Sequence, residues 1–90
     1  MTFANLKFLL SHPKGIDILL CIYRANGDGI DGRGISRKVD ITTGFIYMLA
    51  GRLESLGLLH SERIGRFNIL KLTPKGVLVV ESFLKLDSSL

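Results

Sequence analysis

Residues 53–76 read Leu53-Glu54-Ser55-Leu56-Gly57-Leu58-Leu59-His60-Ser61-Glu62-Arg63-Ile64, then Gly65-Arg66-Phe67-Asn68-Ile69-Leu70-Lys71-Leu72-Thr73-Pro74-Lys75-Gly76. The hydrophobic period changes inside this stretch. Ile46, Leu49, Leu53 and Leu56 form one helical stripe, and Gly57 stands where a helix commonly ends in a left-handed residue. Two β-rich runs follow, Leu58–Ile64 and Phe67–Leu72, and between them Gly65-Arg66 is a Gly-X pair suited to a two-residue type II′ hairpin. That turn sets the register: Leu59, Ser61 and Arg63 face Leu72, Leu70 and Asn68. Thr73-Pro74 then supplies an N-cap and a helix-starting proline.

Upstream of this hairpin, Thr42 or Thr43 caps the helix carrying the Ile46 stripe. Asp40-Ile41-Thr42 reads as a tight turn, preceded by a short helix with Ile35 and Val39 inward and Ser36, Arg37 and Lys38 outward. Between Asn26 and Gly34 lie four glycines and two aspartates around Ile30, a loop with room for one short strand. A helix from Pro13 carries Ile16, Leu19, Leu20 and Tyr23 as one apolar stripe. Before it, Phe3, Leu6, Leu9 and Leu10 have helical spacing, interrupted at His12-Pro13. The order is helix, helix, short strand, helix, tight turn, helix, β-hairpin, helix. This is the outline of a winged helix-turn-helix: mainly α with a small β-hairpin, in the α+β class, with flanking N- and C-terminal helices. One domain covers 1–90, divided into an N-terminal helix (1–12), the helix-turn-helix and wing (14–73) and a C-terminal helix (74–86) before a frayed tail.

Ninety residues with 47 % hydrophobic and 22 % charged side chains suit one globular domain. The formal charge of +4 and pI near 9.6 favour an anionic partner. A single cysteine, Cys21, excludes an internal disulfide and points to a reducing compartment. No apolar run is long enough for a membrane span, and no signal peptide is legible, so the expected location is cytoplasmic. No Ser-His-Asp set, Cys-His pair or acid cluster supports catalysis. Residues Gly27 to Gly32 match G-x-G-x-x-G, but no strand precedes them, so the dinucleotide context is missing. Asp28 and Asp31 fall short of a calcium loop, and His12 and His60 lack partners at zinc spacing. The expectation is a non-enzyme with no cofactor and no metal.

The Leu53–Leu59 segment resembles the end of a winged-helix recognition helix, and Leu72-Thr73-Pro74-Lys75-Gly76 resembles the wing exit into a C-terminal helix. Together, with a hairpin between them, they resemble the MarR-type regulators and the minimal winged-helix regulators of archaea and their viruses, over roughly Gly15 to Leu86. The resemblance implies a transcription regulator that binds double-stranded DNA as a dimer. It places Thr43, Gly44, Phe45, Tyr47 and Met48 at the major groove and Arg63, Gly65 and Arg66 on the wing. Two departures stand out: the wing is short, without the family's Asp-Arg-Arg run, and Met48 occupies a position usually polar or basic.

On the residues themselves, Thr42 joins the recognition-helix set, and Ser36, Arg37, Lys38, Arg52, Arg63 and Arg66 are candidates for backbone contact, which orients the duplex without reading it. The C-terminal helix is apolar nearly all round. Val77, Val80, Phe83 and Leu84, with Phe3, Leu6 and Leu10 from the first helix, are expected to form a homodimer interface. The expected function is a sequence-specific or semi-specific DNA-binding transcriptional regulator. The alternative is a winged helix that binds protein within a transcription or replication assembly. No small-molecule effector is legible.

Overall fold

Three helices begin where a side chain satisfies the backbone donors that every helix leaves open at its start. In the computed structural model, which describes residues 3–25 and 27–89 and side chains from Lys7 onward, Asp31 accepts from the Gly34 N–H at 2.9 Å. Thr42 accepts from Phe45 N–H at 3.4 Å, and Thr73 from Gly76 N–H at 3.0 Å. Pro13 opens a fourth helix through its fixed φ. The elements are α1 (Phe3–Ser11), α2 (Pro13–Arg24), β1 (Ile30–Asp31), α3 (Gly32–Val39), α4 (Thr43–Ser55), β2 (Leu59–Ile64), β3 (Phe67–Leu72) and α5 (Pro74–Ser89). This is a winged helix-turn-helix.

The three strands form one antiparallel sheet in the order β1-β3-β2. The hairpin has the register set by its turn: Leu59 faces Leu72, Ser61 faces Leu70 and Arg63 faces Asn68. Gly65 has φ +62° while Arg66 stays at negative φ, as a type II′ turn requires. The lone strand near Ile30 pairs Ile30 with Leu70 and Asp31 with Ile69, tying the loop before α3 to the wing.

The core gathers Leu9, Ile18, Leu19, Ile35, Ile46, Leu53, Leu58, Leu59 and Leu70, all essentially inaccessible. The α2 stripe is rotated from its expected centre: Ile18, Leu19, Cys21 and Ile22 are buried, whereas Ile16, Leu20 and Tyr23 are half-buried. The cause is that α2 packs against α1, α3, α4, α5 and β3, so neighbours cover it on more than one side.

The joint between wing and α5 is tight. A Cβ at Gly76 would meet the Leu58 carbonyl oxygen at 1.9 Å, so only glycine allows this approach. Thr73 Oγ1 donates to the Gly57 carbonyl at 2.6 Å, and Lys75 Nζ to the Leu56 carbonyl at 2.9 Å, which seals the end of α4. At the other end α5 runs beyond Leu86 to Ser89. The Ser88 and Ser89 hydroxyls each donate to the Lys85 carbonyl at 2.9 Å, satisfying a helix-end acceptor where a frayed tail was expected.

Candidate nucleic-acid interface

Helices α3 and α4 meet across the turn 40–42, and the turn is held by the very polar groups that the sequence suggested for contact. Asp40 adopts the left-handed conformation at φ +54°, which ends α3. The Ser36 hydroxyl donates to the Ile41 carbonyl, and Thr42 caps α4. Both side chains are thus committed to the frame of the helix-turn-helix. Arg37 and Lys38, on the last turn of α3, are exposed.

Helix α4 turns Ile46, Leu49, Ala50 and Leu53 into the core. The opposite face is formed by Gly44, Met48 and Gly51, with Phe45 at its shoulder. Met48 is 56 % exposed and Phe45 39 %. A Cβ at Gly44 or Gly51 would meet nothing within 4 Å. Tyr47 departs from the expectation of a free groove-facing side chain. It is half-buried, and its hydroxyl accepts from Gly32 N–H at 3.1 Å and donates to the Asn68 carbonyl at a longer 3.4 Å. Tyr47 therefore joins the start of α3, the recognition helix and the wing.

Of the cationic residues, Arg33 and Arg66 lie beside the N-terminal end of this face, whereas Lys38 lies beside Asp17, Cys21 and Arg24 of α2. Arg33, Arg37, Lys38, Arg63 and Arg66 are exposed, and none makes an ion pair among the described residues; Lys71 and Glu62 pair at 3.1 Å. Arg52 lies with its guanidinium 5.6 Å from the centroid of the Phe8 ring. It does not pair with Glu54, whose carboxylate accepts from the Ser61 N–H at 3.3 Å and hydroxyl at 3.4 Å. A cleft of about 360 Å³ opens between the N-terminus of α4 and the wing, lined by Arg33, Thr43, Tyr47, Arg66, Phe67 and Asn68 with Asp31. Arg33 and Phe67 escaped the sequence reading. The helical and strand patterns gave no reason to single them out until β1 brought the start of α3 beside β3.

Elsewhere the candidate chemistry is sparse. Among the described residues no group of three or more His, Cys, Asp or Glu converges as metal ligands. Gly27 and Gly29 hold positive φ within the loop, and Asp31 caps α3, so the G-x-G-x-x-G segment is turn and cap. Burial pushes the Cys21 thiol pKa up, opposed by nearby Lys38 and Arg24. The Tyr23 hydroxyl donates to Glu81 at 3.1 Å; this bond and the repulsion of that carboxylate raise its pKa.

The surface expected to meet a second copy divides in two. Leu10 and Leu84 are exposed, joined by Leu78 and Leu86, which the sequence reading did not assign. Val77 and Phe83 are half-buried. Val80 departs from the expectation: only 4 % exposed, it belongs to the protomer's own core. Phe3 and Leu6 lie on α1, but their side chains are outside the described ones. No helix among the described residues is long and apolar enough to cross a membrane.

No protein-family model matches this sequence, and no curated protein does. Solved structures do match. MepR, a transcription regulator of the Staphylococcus aureus multidrug efflux pump MepA, superposes with a TM-score of 0.79 at 20 % identity, covering 99 % of this chain and 78 % of MepR. A MepR variant is solved bound to an oligodeoxyribonucleotide. A protein from Archaeoglobus fulgidus matches with a TM-score of 0.78 at 23 % identity, over 84 % of this chain and 86 % of its own. The PcaV transcriptional regulator from Streptomyces coelicolor, solved with its natural ligand, matches at 0.69 and 28 % identity over 76 % of this chain. The match spans about half of PcaV, 49 % of its length.

Proposed function

We propose that this MarR-like winged helix is a transcriptional regulator that binds double-stranded DNA as a homodimer. One observation carries the reading: the outward face of α4 is open, and Arg33 from α3 and Arg66 from the wing line a cleft at its N-terminal end without forming an ion pair among the described residues. A recognition helix enters the major groove with its N-terminal part at the base edges, while neighbouring elements hold the phosphates. Here Thr43, Gly44, Phe45 and Met48 would face the groove, and Arg33, Arg37, Lys38, Arg63 and Arg66 the backbone. Tyr47 holds the angle between helix and wing. The likeness to DNA-binding regulators supports the same reading.

Exposed Leu10, Leu78, Leu84 and Leu86 support association of two copies through α1 and α5. A two-fold dimer would set two α4 helices about 34 Å apart, one helical turn of DNA, on a pseudo-palindromic site.

Fluorescence anisotropy with random-sequence duplex at low and moderate salt tests the function. Binding that weakens steeply as salt rises is the expected result. Docking onto a protein is the second reading, favoured by exposed Ile64 and Phe67 at the wing tip. Absence of any salt-sensitive duplex binding would transfer the assignment to it.

A further inference from the structure

The outward face of α4 carries almost no side chain able to read a base by hydrogen bonding. Its polar residues are engaged elsewhere. Thr42 caps the helix, and the Ser55 hydroxyl donates to the Arg52 carbonyl at 2.6 Å. Tyr47 bonds Gly32 and Asn68, and Glu54 accepts from Ser61. Arg52 stands in the last turn of the helix, over Phe8. Thr43, at the N-terminal edge, is the remaining hydroxyl of the first two turns.

What this face does present is apolar. At 100° per residue, Gly44, Met48 and Gly51 fall on one line opposite the buried Ile46–Leu49–Leu53 stripe. Met48 projects between two residues without side chains, and Phe45 flanks it one turn away. The two glycines expose helix backbone to close approach, at a cost in helix propensity. The only apolar group that the base pairs display in the major groove is the thymine C5-methyl. Exposed Arg33 and Arg66 beside the N-terminal end of the helix fit a polyanion and disfavour a purely apolar partner.

Resting on the DNA-binding reading above, we propose that Met48, with Phe45, reads thymine methyl groups by van der Waals contact, so that sequence selection is a preference for thymine at the positions under α4. Methionine suits the task because its thioether is polarizable and its three rotatable bonds let it settle against a methyl at more than one position. Selection by this means is modest per base, because each contact excludes one methyl from water.

The test uses the whole chain and duplexes selected from a random library. In the tightest-binding duplex, each thymidine is replaced in turn by deoxyuridine, which pairs identically and lacks only the methyl. The expected result is a loss of about fourfold in affinity for each contacted methyl, the equivalent of one buried methylene-sized group. Met48→Ala, a change at an exposed position, is expected to make thymidine and deoxyuridine duplexes bind alike at the main contacts, and Phe45→Ala at the remainder. Salt-sensitive binding that is indifferent to deoxyuridine at every position would overturn the thymine assignment and leave the DNA-binding reading intact. A deoxyuridine effect that persists in the Met48→Ala, Phe45→Ala double variant would remove these side chains from the readout. Failure to bind any duplex in a salt-dependent way would overturn both readings together.

Discussion

The ring of Tyr47 occupies the space that a side chain at Gly32 would need. A Cβ on Gly32 would lie 2.6 Å from the ring, and the Gly32 N–H donates to the Tyr47 hydroxyl at 3.1 Å. The contact binds the first residue of α3 to the second turn of α4, and the hydroxyl reaches on to β3 at Asn68. The relative placement of the two helices and the wing therefore converges on one side chain. Tyr47→Phe keeps the ring and removes both hydrogen bonds, so the expected loss is about 0.5–1.5 kcal/mol in urea unfolding. Gly32→Ala forces the ring to move and should cost about 1–3 kcal/mol. In a Tyr47→Leu background the cost of Gly32→Ala should shrink markedly. Additive losses in that double-mutant cycle would show that the clash is relieved elsewhere.

Three other glycines separate stability from function. At Gly76 an added Cβ meets the Leu58 carbonyl oxygen at 1.9 Å, a backbone atom that cannot rotate away. Gly76→Ala is expected to cost about 3 kcal/mol or more, or to prevent accumulation of folded protein. Gly51 lies mid-helix with open space around it, so Gly51→Ala should raise stability by up to about 1 kcal/mol, or several degrees in Tm. Gly44, in the first turn of α4, should gain less. The same two substitutions set a methyl between α4 and the groove, so duplex affinity should fall while Tm rises. A stabilised variant with undiminished affinity would move the DNA off this face.

The hairpin, its register and the helix order were legible because local chemistry decides them. Gly65-Arg66 admits one turn type, and period-two alternation leaves one register. The side chains of the site were less legible, because long-range packing decides their roles. Tyr47 falls toward the outer side of the α4 wheel, and only the arrival of Gly32 and Asn68 covers it. Thr42 reads equally well as a contact and as a cap, and Ser36 reads as an outward contact, until the turn between them closes. Helix α5 is apolar nearly all round, so its sequence has no phase, and Val80 could not be told from Leu78. One is in the core and the other 66 % exposed.

Alkaline pH should loosen the packing of α2. Two titratable groups on this helix have displaced pKa values, and both are raised: Cys21 chiefly by burial, Tyr23 by its bond to Glu81 on α5. A raised folded-state pKa means that the folded protein holds its proton more tightly than the unfolded chain. The resulting stability is complete below the unfolded pKa, about 8.5 for a thiol and 10 for a phenol, and is lost as pH rises through the folded value. Tm is expected to be level near neutrality for these groups and to decline above roughly pH 9. Tyr23→Phe should flatten the upper part of that decline; an unchanged alkaline limb would assign the loss to other groups. The Cys21 thiol should also react slowly with a disulfide reagent at neutral pH until the chain is unfolded.

Association should depend on leucines that the protomer leaves uncovered. Leu78 is 66 % and Leu86 58 % exposed, on a helix whose inner side already has Val79 and Val80 to pack. At such exposed positions Leu78→Ser and Leu86→Ser should change protomer stability by no more than about 0.5 kcal/mol. Sedimentation equilibrium of the parent chain is expected to give twice the 9.9 kDa chain mass, and the double variant the mass of one chain. A parent that sediments as a monomer at micromolar concentration would remove the dimer from the proposal.

The wing offers the clearest electrostatic test, because its two arginines are exposed and make no ion pair among the described residues. Arg66 sits in the turn beside Gly65 and lines the cleft against Thr43, while Arg63 faces Asn68 across the hairpin. A phosphate contact releases condensed counterions, so each one lost should lower the slope of log K against log salt by close to one unit. It should do so equally on specific and random duplexes, since phosphates carry no sequence information. Arg63→Ala and Arg66→Ala are thus expected to reduce both slope and affinity uniformly, with the thermal midpoint little changed. The two effects should add in the double variant if both residues reach phosphate. A double variant with the parent's slope would place the wing away from DNA, leaving Arg33, Arg37 and Lys38 as the residues that hold the backbone.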